Sequence, residues 1–221
     1  ATAAQRGPRR ATPEELAEPE YSAPSAMVDS SDEVVIDLAH QIDPALRKAG
    51  YTVPPKGSKL PPDVQLEAAF ALRDLVQGHI SSKHLSTAYA SASETARTGS
   101  GDCTEHAVLL AAVLKARGIP ARVCHGLVYV EQGGSAINGE VEVDGYGNAE
   151  NTLAGQFGWH MWSQALVNGK WYDFDATLHV PYSVGHVLVG TSSMSDKEAH
   201  NNHMQMAALI GNLEMTLLES R

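Results

Sequence analysis

A single cysteine stands at the start of an apolar segment in residues 98–122, TGSGDCTEHAVLLAAVLKARGIPAR. Asp102 precedes this segment and Glu105 follows three residues later, which is the spacing of a capping box at a helix start. Cys103 is therefore predicted at the first helical position, where unpaired N–H groups and the helix dipole favour a thiolate. The negative charges of Asp102 and Glu105 oppose that effect. A reactive Cys103 consequently requires a cationic partner, and a cap cysteine without chemistry is the alternative.

A β-hairpin further along the chain offers such a partner. Residues 159–177, WHMWSQALVNGKWYDFDAT, have the pattern of two strands around Asn168-Gly169. This dipeptide is one that a type I′ turn prefers. A two-residue turn places Val167 opposite Lys170 and thereby sets the register of all the other pairs in the hairpin.

In that register Trp162 lies opposite Asp175, and His160 is the diagonal neighbour of Asp175, roughly 7–8 Å away between backbones. The side chains of these residues share one face because a strand has a period of two. A carboxylate that reaches an imidazole from the next strand fixes its tautomer and stabilises the imidazolium. Asp173 lies one step further away. The register alone does not establish that this face looks toward Cys103.

Four short motifs occur in the order found in a known family: GDC at the helix start, RGIPAR at its exit, HMW in the first hairpin strand and DAT after the second. Over about residues 85–180 the chain resembles bacterial-type members of the transglutaminase-like superfamily. The resemblance implies a papain-like α+β core, in which the cysteine helix packs on an antiparallel sheet that carries the histidine and the aspartate. Ala176 stands where the family often has proline. Residues 131–155 are an insertion outside the common core, expected to shape access to the site.

The same resemblance implies a Cys-His-Asp catalytic triad. Cys103 would be the nucleophile, His160 the general base and acid, and Asp175 the residue that orients the imidazole. The backbone N–H of Cys103 is the expected oxyanion donor, and Tyr89 in the preceding loop is a candidate for a second donor. The chemistry requires no cofactor and no metal, and no calcium-site spacing is visible in the sequence.

The function expected from this triad is that of a cysteine hydrolase, which cleaves an amide in a peptide or isopeptide through a thioester. Water is always available as the acceptor, which favours hydrolysis. An acyltransferase that cross-links proteins by transamidation is one alternative. A catalytically inactive scaffold that binds peptides in the same groove is another, although an intact set of three residues counts against it.

Other cysteine and histidine residues suggest less specific roles. Cys124 and His125 lie on opposite faces of a strand predicted over residues 121–130, and Cys124 is expected to be buried. His106 is expected to be a partly exposed helix residue. A zinc site made of Cys103, His106, Cys124 and His125 is disfavoured because the spacings do not resemble a paired structural set.

The remaining pattern predicts helices before strands, an α+β layout. Residues 1–33 are rich in proline, alanine, serine and charge and are expected to form a flexible or surface-wrapping arm, whereas residues 34–221 form the enzyme domain. Residues 81–101 are expected to be a loop with at most one turn. The other predicted elements are helices at 32–42, 63–80 and 197–211, a hairpin within 131–155, and strands at 186–192 and 213–219.

The composition limits the partners. Of the 221 residues 43% are apolar, and the net charge of −10 argues against binding to nucleic acid or to an anionic membrane. No apolar run is long enough to span a bilayer, and two cysteines are too few for a disulfide framework. We therefore expect a peptide or protein substrate. The absence of an initiator methionine suggests a processed piece, and the family resemblance suggests an exported or periplasmic part of a larger bacterial protein.

Overall fold

The computed structural model describes residues 7–82, 90–130, 156–178 and 185–197. Within these ranges most helices come before most strands, as the α+β prediction requires. In chain order the elements are β1 (Arg9–Arg10), α1 (Pro13–Ala17), α2 (Glu33–Ala39), α3 (Asp43–Lys48), α4 (Pro62–His79), α5 (Ala92–Thr98), α6 (Cys103–Ala116), β2 (Ala121–Val130), β3 (Gln156–Val167), β4 (Lys170–Phe174) and β5 (His186–Ser192). None of these described helices has the length and apolar character needed to cross a membrane.

The five strands form one antiparallel sheet in the order β1-β4-β3-β2-β5. The hairpin of β3 and β4 has the predicted register, with Val167 paired to Lys170 and Ser163 paired to Phe174. Asn168 and Gly169 at its turn have φ angles of 49° and 73°, both in the left-handed region that a type I′ turn requires.

Helix α6 is the centre of the molecule. It packs on β2 and β3 on one side and on α2, α4 and α5 on the others, so every residue from 105 to 115 is buried. A helix that is covered all round is apolar all round, which explains the run AVLLAAVL in its middle. Gly118, with a φ of 75°, ends the helix, and Ile119 donates its backbone N–H to the carbonyl of Leu114.

Residues 7–23 run along the far edge of the sheet. Strand β1 pairs with β4, and the Glu15 carboxylate accepts hydrogen bonds from Arg9 and from the buried Arg122 of β2, the latter at 2.7 Å. The Arg122 guanidinium also lies 4.0 Å from the ring centroid of Trp171, and Tyr21 packs edge-on against that same ring. This stretch therefore lies against the sheet, whereas the division of the chain into an arm and a domain at residue 33 stays a prediction.

Several predicted elements need correction. The expected loop at 81–101 contains helix α5, which begins with a capping box of Ser91 and Glu94, and the short helix α3 was not predicted. The helix predicted at 63–80 is α4, in which Ala68 and Ala69 are buried while Phe70 is 47% exposed and packs on Phe174. The predicted hairpin at 131–155 and strand at 213–219, and nearly all of the predicted helix at 197–211, lie outside the described residues.

The ion pair between Glu15 and Arg122 predicts a stability effect that depends on pH. Burial raises the pKa of Glu15, but hydrogen bonds from Arg9, Thr12 and Arg122 outweigh it and lower the pKa to about 2. An unfolded Glu has a pKa of about 4.3, so this stabilisation is complete above that value and is lost as the pH falls toward 2. We expect Glu15→Gln to lower the free energy of unfolding by about 2 kcal/mol at pH 7 and by much less at pH 2.5.

Urea denaturation at the two pH values measures this difference. Glu14→Gln is the matched control, because Glu14 is the exposed neighbour in the same helix, and it should change stability by less than about 0.5 kcal/mol. Equal losses for Glu15→Gln at both pH values would contradict the ion-pair explanation.

Candidate active site

The loop before α6 delivers Cys103 to the first residue of the helix. Asp102 caps the helix by accepting the backbone N–H of Thr104 at 2.9 Å, and Glu105 accepts the N–H of Asp102 at 3.0 Å, so the predicted capping box is present. Gly101 has a φ of 154°, and a Cβ on it would meet the Glu105 side chain at 2.3 Å. This close approach explains why a glycine stands two residues before the cysteine.

Glu105 is fully buried and links the helix start to the chain before it. Its carboxylate also accepts the backbone N–H of Ala90 at 3.2 Å. Burial raises the pKa of Glu105, and the nearby Asp102 raises it further. The two backbone N–H groups that Glu105 accepts, those of Asp102 and Ala90, oppose this effect by lowering its pKa.

His160 and Asp175 are in contact, as the hairpin register predicts. His160 lies in β3 and Asp175 comes directly after Phe174, the last residue of β4. The Nε2–H of His160 donates to Oδ2 of Asp175 over 2.7 Å, and both side chains are buried. The alternative carboxylate, Asp173, instead accepts hydrogen bonds from Trp162 and from Gln164 of β3.

The thiol of Cys103 contributes to the state of His160. Burial lowers the pKa of His160, but hydrogen bonds with Asp175 and then with Cys103, together with their charges, raise it to about 9. Because Nε2 is bonded to Asp175, Nδ1 is the ring nitrogen left to face the thiol. These two neighbours therefore favour the imidazolium form of His160 near neutral pH.

Asp175 is held by four hydrogen-bond donors. Its Oδ1 accepts the backbone N–H groups of Thr177 and Leu178 at 2.8 and 3.1 Å. Its Oδ2 accepts from His160 and, at 2.9 Å, from Nε2 of His186 in β5. Burial alone would raise the pKa of Asp175, but the two imidazoles hold it well below its usual range. The carboxylate is therefore ionised at neutral pH.

His186 is the site residue that the sequence did not reveal. The strand it begins was predicted, but its pairing with β2 was not, and that pairing brings the imidazole to Asp175. Nitrogen and oxygen atoms of His160, Asp175 and His186 lie within 4.8 Å of one another, which is close enough to hold a metal ion. No motif in the sequence singles out His186, because its place in the site depends on the pairing of β5 with β2.

The other candidate ligands are placed differently. Cys124 is buried as predicted, and burial raises the pKa of its thiol well above the usual value. His106 was predicted to be partly exposed, which is wrong: it is buried in α6 and its Nδ1–H donates to the carbonyl of Asp102 at 2.6 Å. Among the described residues, the set of Cys103, His106, Cys124 and His125 is not brought together as a metal site. Tyr89 lies outside the described residues.

The sequence of residues 56–176 matches the family model of the transglutaminase-like superfamily. The chain belongs to this superfamily. The match covers more than half of the chain and includes the helix that begins at Cys103, the strand of His160, and Asp175. No protein with a curated description matches the chain.

A solved structure with a TM-score above 0.5 agrees with a papain-like fold of the transglutaminase-like kind, and two others are similar at lower scores. A candidate cysteine protease from Cytophaga hutchinsonii has 19% sequence identity and a TM-score of 0.53, covering 83% of this chain and 50% of its own. The periplasmic domain of TgpA from Pseudomonas aeruginosa has 22% identity and a TM-score of 0.35, covering 64% and 44%. A candidate protease from Parabacteroides distasonis has 16% identity and a TM-score of 0.34, covering 73% and 31%. The chain thus spans half the length of the Cytophaga protein.

The contact between Cys103 and His160 predicts selective alkylation. An ordinary thiol with a pKa of about 8.5 is less than about 1% ionised at pH 6, so only a thiol paired with a cation reacts quickly there. We expect iodoacetamide at pH 6 to label Cys103 rapidly and to leave the buried Cys124 unmodified in the folded protein. His160→Ala should slow the labelling of Cys103 at least about tenfold at pH 6 but much less at pH 9.

Peptide mapping by mass spectrometry assigns the label to each cysteine. His125→Ala is the control, because His125 lies on a neighbouring strand outside the cluster of Asp175, and it should leave the rate unchanged. Labelling that is indifferent to His160 would exclude the pair. Protection of both cysteines that a chelator removes would instead indicate a zinc site.

Proposed function

We propose that this protein is a cysteine hydrolase that cleaves an amide bond, in a peptide or an isopeptide, through a thioester on Cys103. In this proposal His160 is the general base and acid, and Asp175 orients its imidazole. The observation that carries it is the hydrogen-bonded series from Cys103 through His160 to Asp175, which begins at a helix start.

The geometry supports these roles through the two ring nitrogens of His160. Nε2–H donates to an ionised, fully buried carboxylate, so Nδ1 is available to take the thiol proton and to return it. The raised pKa of His160 favours the thiolate–imidazolium pair as the resting state. Cys103 itself is half-buried and so remains open to a substrate from one side.

The proposed reaction has two steps, formation of a thioester and its hydrolysis. The thiolate of Cys103 attacks the amide carbonyl carbon, and the tetrahedral intermediate collapses as the imidazolium of His160 gives its proton to the leaving amine. A thioester remains. Neutral His160 then takes a proton from water, which attacks the thioester. The acid is released, and the thiolate–imidazolium pair is restored.

The start of α6 supplies stabilisation for the oxyanion. The first N–H groups of a helix have no partners within it, and that of Cys103 lies next to the sulfur that attacks. Tyr89 remains the candidate that the sequence suggests for a second donor, and it lies outside the described residues.

Hydrolysis is favoured over amide transfer for a physical reason. Transfer to an amine requires a site that excludes water from the thioester, whereas hydrolysis uses water, the acceptor that is always available. The Cytophaga protein, which shares this fold, is described as a candidate cysteine protease, in keeping with a peptide substrate. We also propose that the protein acts outside the cytoplasm as part of a longer chain, an expectation that rests on the family resemblance alone.

A panel of peptides, incubated with and without a primary amine, tests the reaction. We expect mass spectrometry to find cleaved acid products whose amount does not depend on the amine, and no products with Cys103→Ala. Amine adducts in place of acids would establish transamidation. Bound but unaltered peptides with the wild-type protein would establish a peptide-binding scaffold.

Asp173 lies in β4 and Asp175 comes directly after this strand, so the two aspartates allow a matched test of the orienting role. Asp175→Asn should lower kcat by about 10³–10⁴-fold, because an amide donates as well as accepts and favours the wrong tautomer of His160. Asp173→Asn should lower kcat less than about tenfold, since Asp173 bonds Trp162 and Gln164 and not the imidazole. Similar losses of kcat in both variants, with both proteins still folded by circular dichroism, would show that the orienting role does not belong to Asp175 alone.

A further inference from the structure

We propose that His186 is a positioning residue of this site: it fixes the Asp175 carboxylate in the orientation that holds His160. It donates Nε2–H to Oδ2 of Asp175, the same oxygen that accepts from His160. The inference rests on the proposed function, because positioning matters only if the pair of Cys103 and His160 does chemistry. Neither the family motifs nor the hairpin register points to a second histidine.

The bond from His186 comes from a different part of the chain than the other bonds to Asp175. The two donors on Oδ1, the N–H groups of Thr177 and Leu178, belong to the turn that follows Asp175 itself. They hold one oxygen but move with that turn. His186 is on β5, which is tied to β2 by its own ladder, with Val128 opposite His186. It therefore fixes the second oxygen relative to the sheet.

The imidazole of His186 is held by packing as well as by its bond. Its side chain is 1% exposed, and its ring lies edge-on to Trp162 with a centroid separation of 5.3 Å. The ring of His160 lies on the same indole, stacked at 6.2 Å, and 5.7 Å from the ring of His186. Asp173 fixes the indole by accepting its Nε1–H at 2.9 Å. One tryptophan thus supports both imidazoles.

A glycine on the intervening strand makes this arrangement possible. Gly126 of β2 pairs with His160 on one side and with Leu188 of β5 on the other. A Cβ on Gly126 would meet the carbonyl oxygen of Val187 at 2.1 Å and the ring of Trp162 at 3.0 Å. Any larger residue would move β5, and His186 with it, away from the site.

The charge of Asp175 explains why the second imidazole is useful. A buried carboxylate is stable only when hydrogen-bond donors replace the water that it has lost. Both oxygens of Asp175 accept two donors each, and His186 supplies one of the four. Without the bond from His186, Oδ2 has a single donor, and the carboxylate group can rotate so that Oδ2 moves away from His160. The His160 tautomer that carries its proton on Nε2 and leaves Nδ1 facing the thiol would then no longer be fixed.

Two substitutions of similar size separate hydrogen bonding from packing. His186→Gln keeps an N–H near the position of Nε2, whereas His186→Met fills the same space without a donor. We expect iodoacetamide to label Cys103 at least tenfold more slowly at pH 6 in His186→Met than in the wild type. His186→Gln should remain within about threefold of the wild-type rate, and the rates of all three proteins at pH 9 should be similar.

The outcomes distinguish this inference from the proposed function. If His160→Ala leaves the labelling of Cys103 unchanged, the pair itself is absent and the proposed function fails. If His160→Ala slows labelling but His186→Met does not, only the positioning role is overturned. If His186 acted only through packing, the methionine and glutamine variants would have equal effects. That result would also overturn the positioning role.

A spectroscopic measurement tests the bond without altering His186. In ¹⁵N-labelled wild-type protein, two imidazole N–H protons should appear far downfield, from the Nε2 groups that donate to Asp175. Both signals should shift together in Asp175→Asn. A single downfield signal would overturn the inference, even if His186→Met failed to fold.

A metal ion bound by the same three side chains would be a different explanation. Labelling and the downfield signals should be unchanged after dialysis of the wild-type protein against EDTA. A change in either would show that His160, Asp175 and His186 hold a metal ion rather than share protons, and would overturn the positioning role.

Discussion

The burial of one ionised carboxylate constrains the rest of this structure. Asp175 has no exposed side-chain surface, so its charge is stable only because four donors surround it. Those donors come from the turn after β4, from His160 on β3 and from His186 on β5. The sheet must therefore bring β3, the end of β4 and β5 to one point, and Asp175, which bonds His160, is also the residue that connects these strands.

The thiol reaches this point through the packing of α6. The helix is buried on all sides, so its axis is fixed by the sheet and by three other helices, and its first residue cannot move independently. Two hydrogen bonds secure the helix start to the sheet: Thr104 donates its hydroxyl to the sulfur of Met161, and Ser163 donates to the carbonyl of Ala107. Cys103 is thus placed by packing along the whole helix, while Glu105 holds the loop that precedes it.

The sequence predicted those features that depend on neighbours in the chain. A two-residue turn sets a register, so the contact of His160 with Asp175 followed from counting, and a capping box placed Cys103 at a helix start. Features that depend on distant contacts were not predictable. His186 reaches Asp175 only because β5 pairs with β2, and nothing in residues 186–192 specifies that partner. Helix α5 was missed although its capping box, from Ser91 to Glu94, is visible in the sequence, because its small residues carry almost no apolar periodicity.

One face of the sheet carries a continuous polar network that links the far edge to the site. Glu15 accepts from Arg122, Arg122 donates to Gln164, and Gln164 donates to Asp173. The same oxygen of Asp173 accepts the indole N–H of Trp162, whose ring supports His160 and His186. These strand residues share a face because their positions differ by even numbers or lie directly opposite one another. A chain of hydrogen bonds therefore runs from Glu15 in the N-terminal stretch to the residues around the candidate site. The contacts of that stretch with the sheet and the positions of the two imidazoles depend on the same face of the sheet.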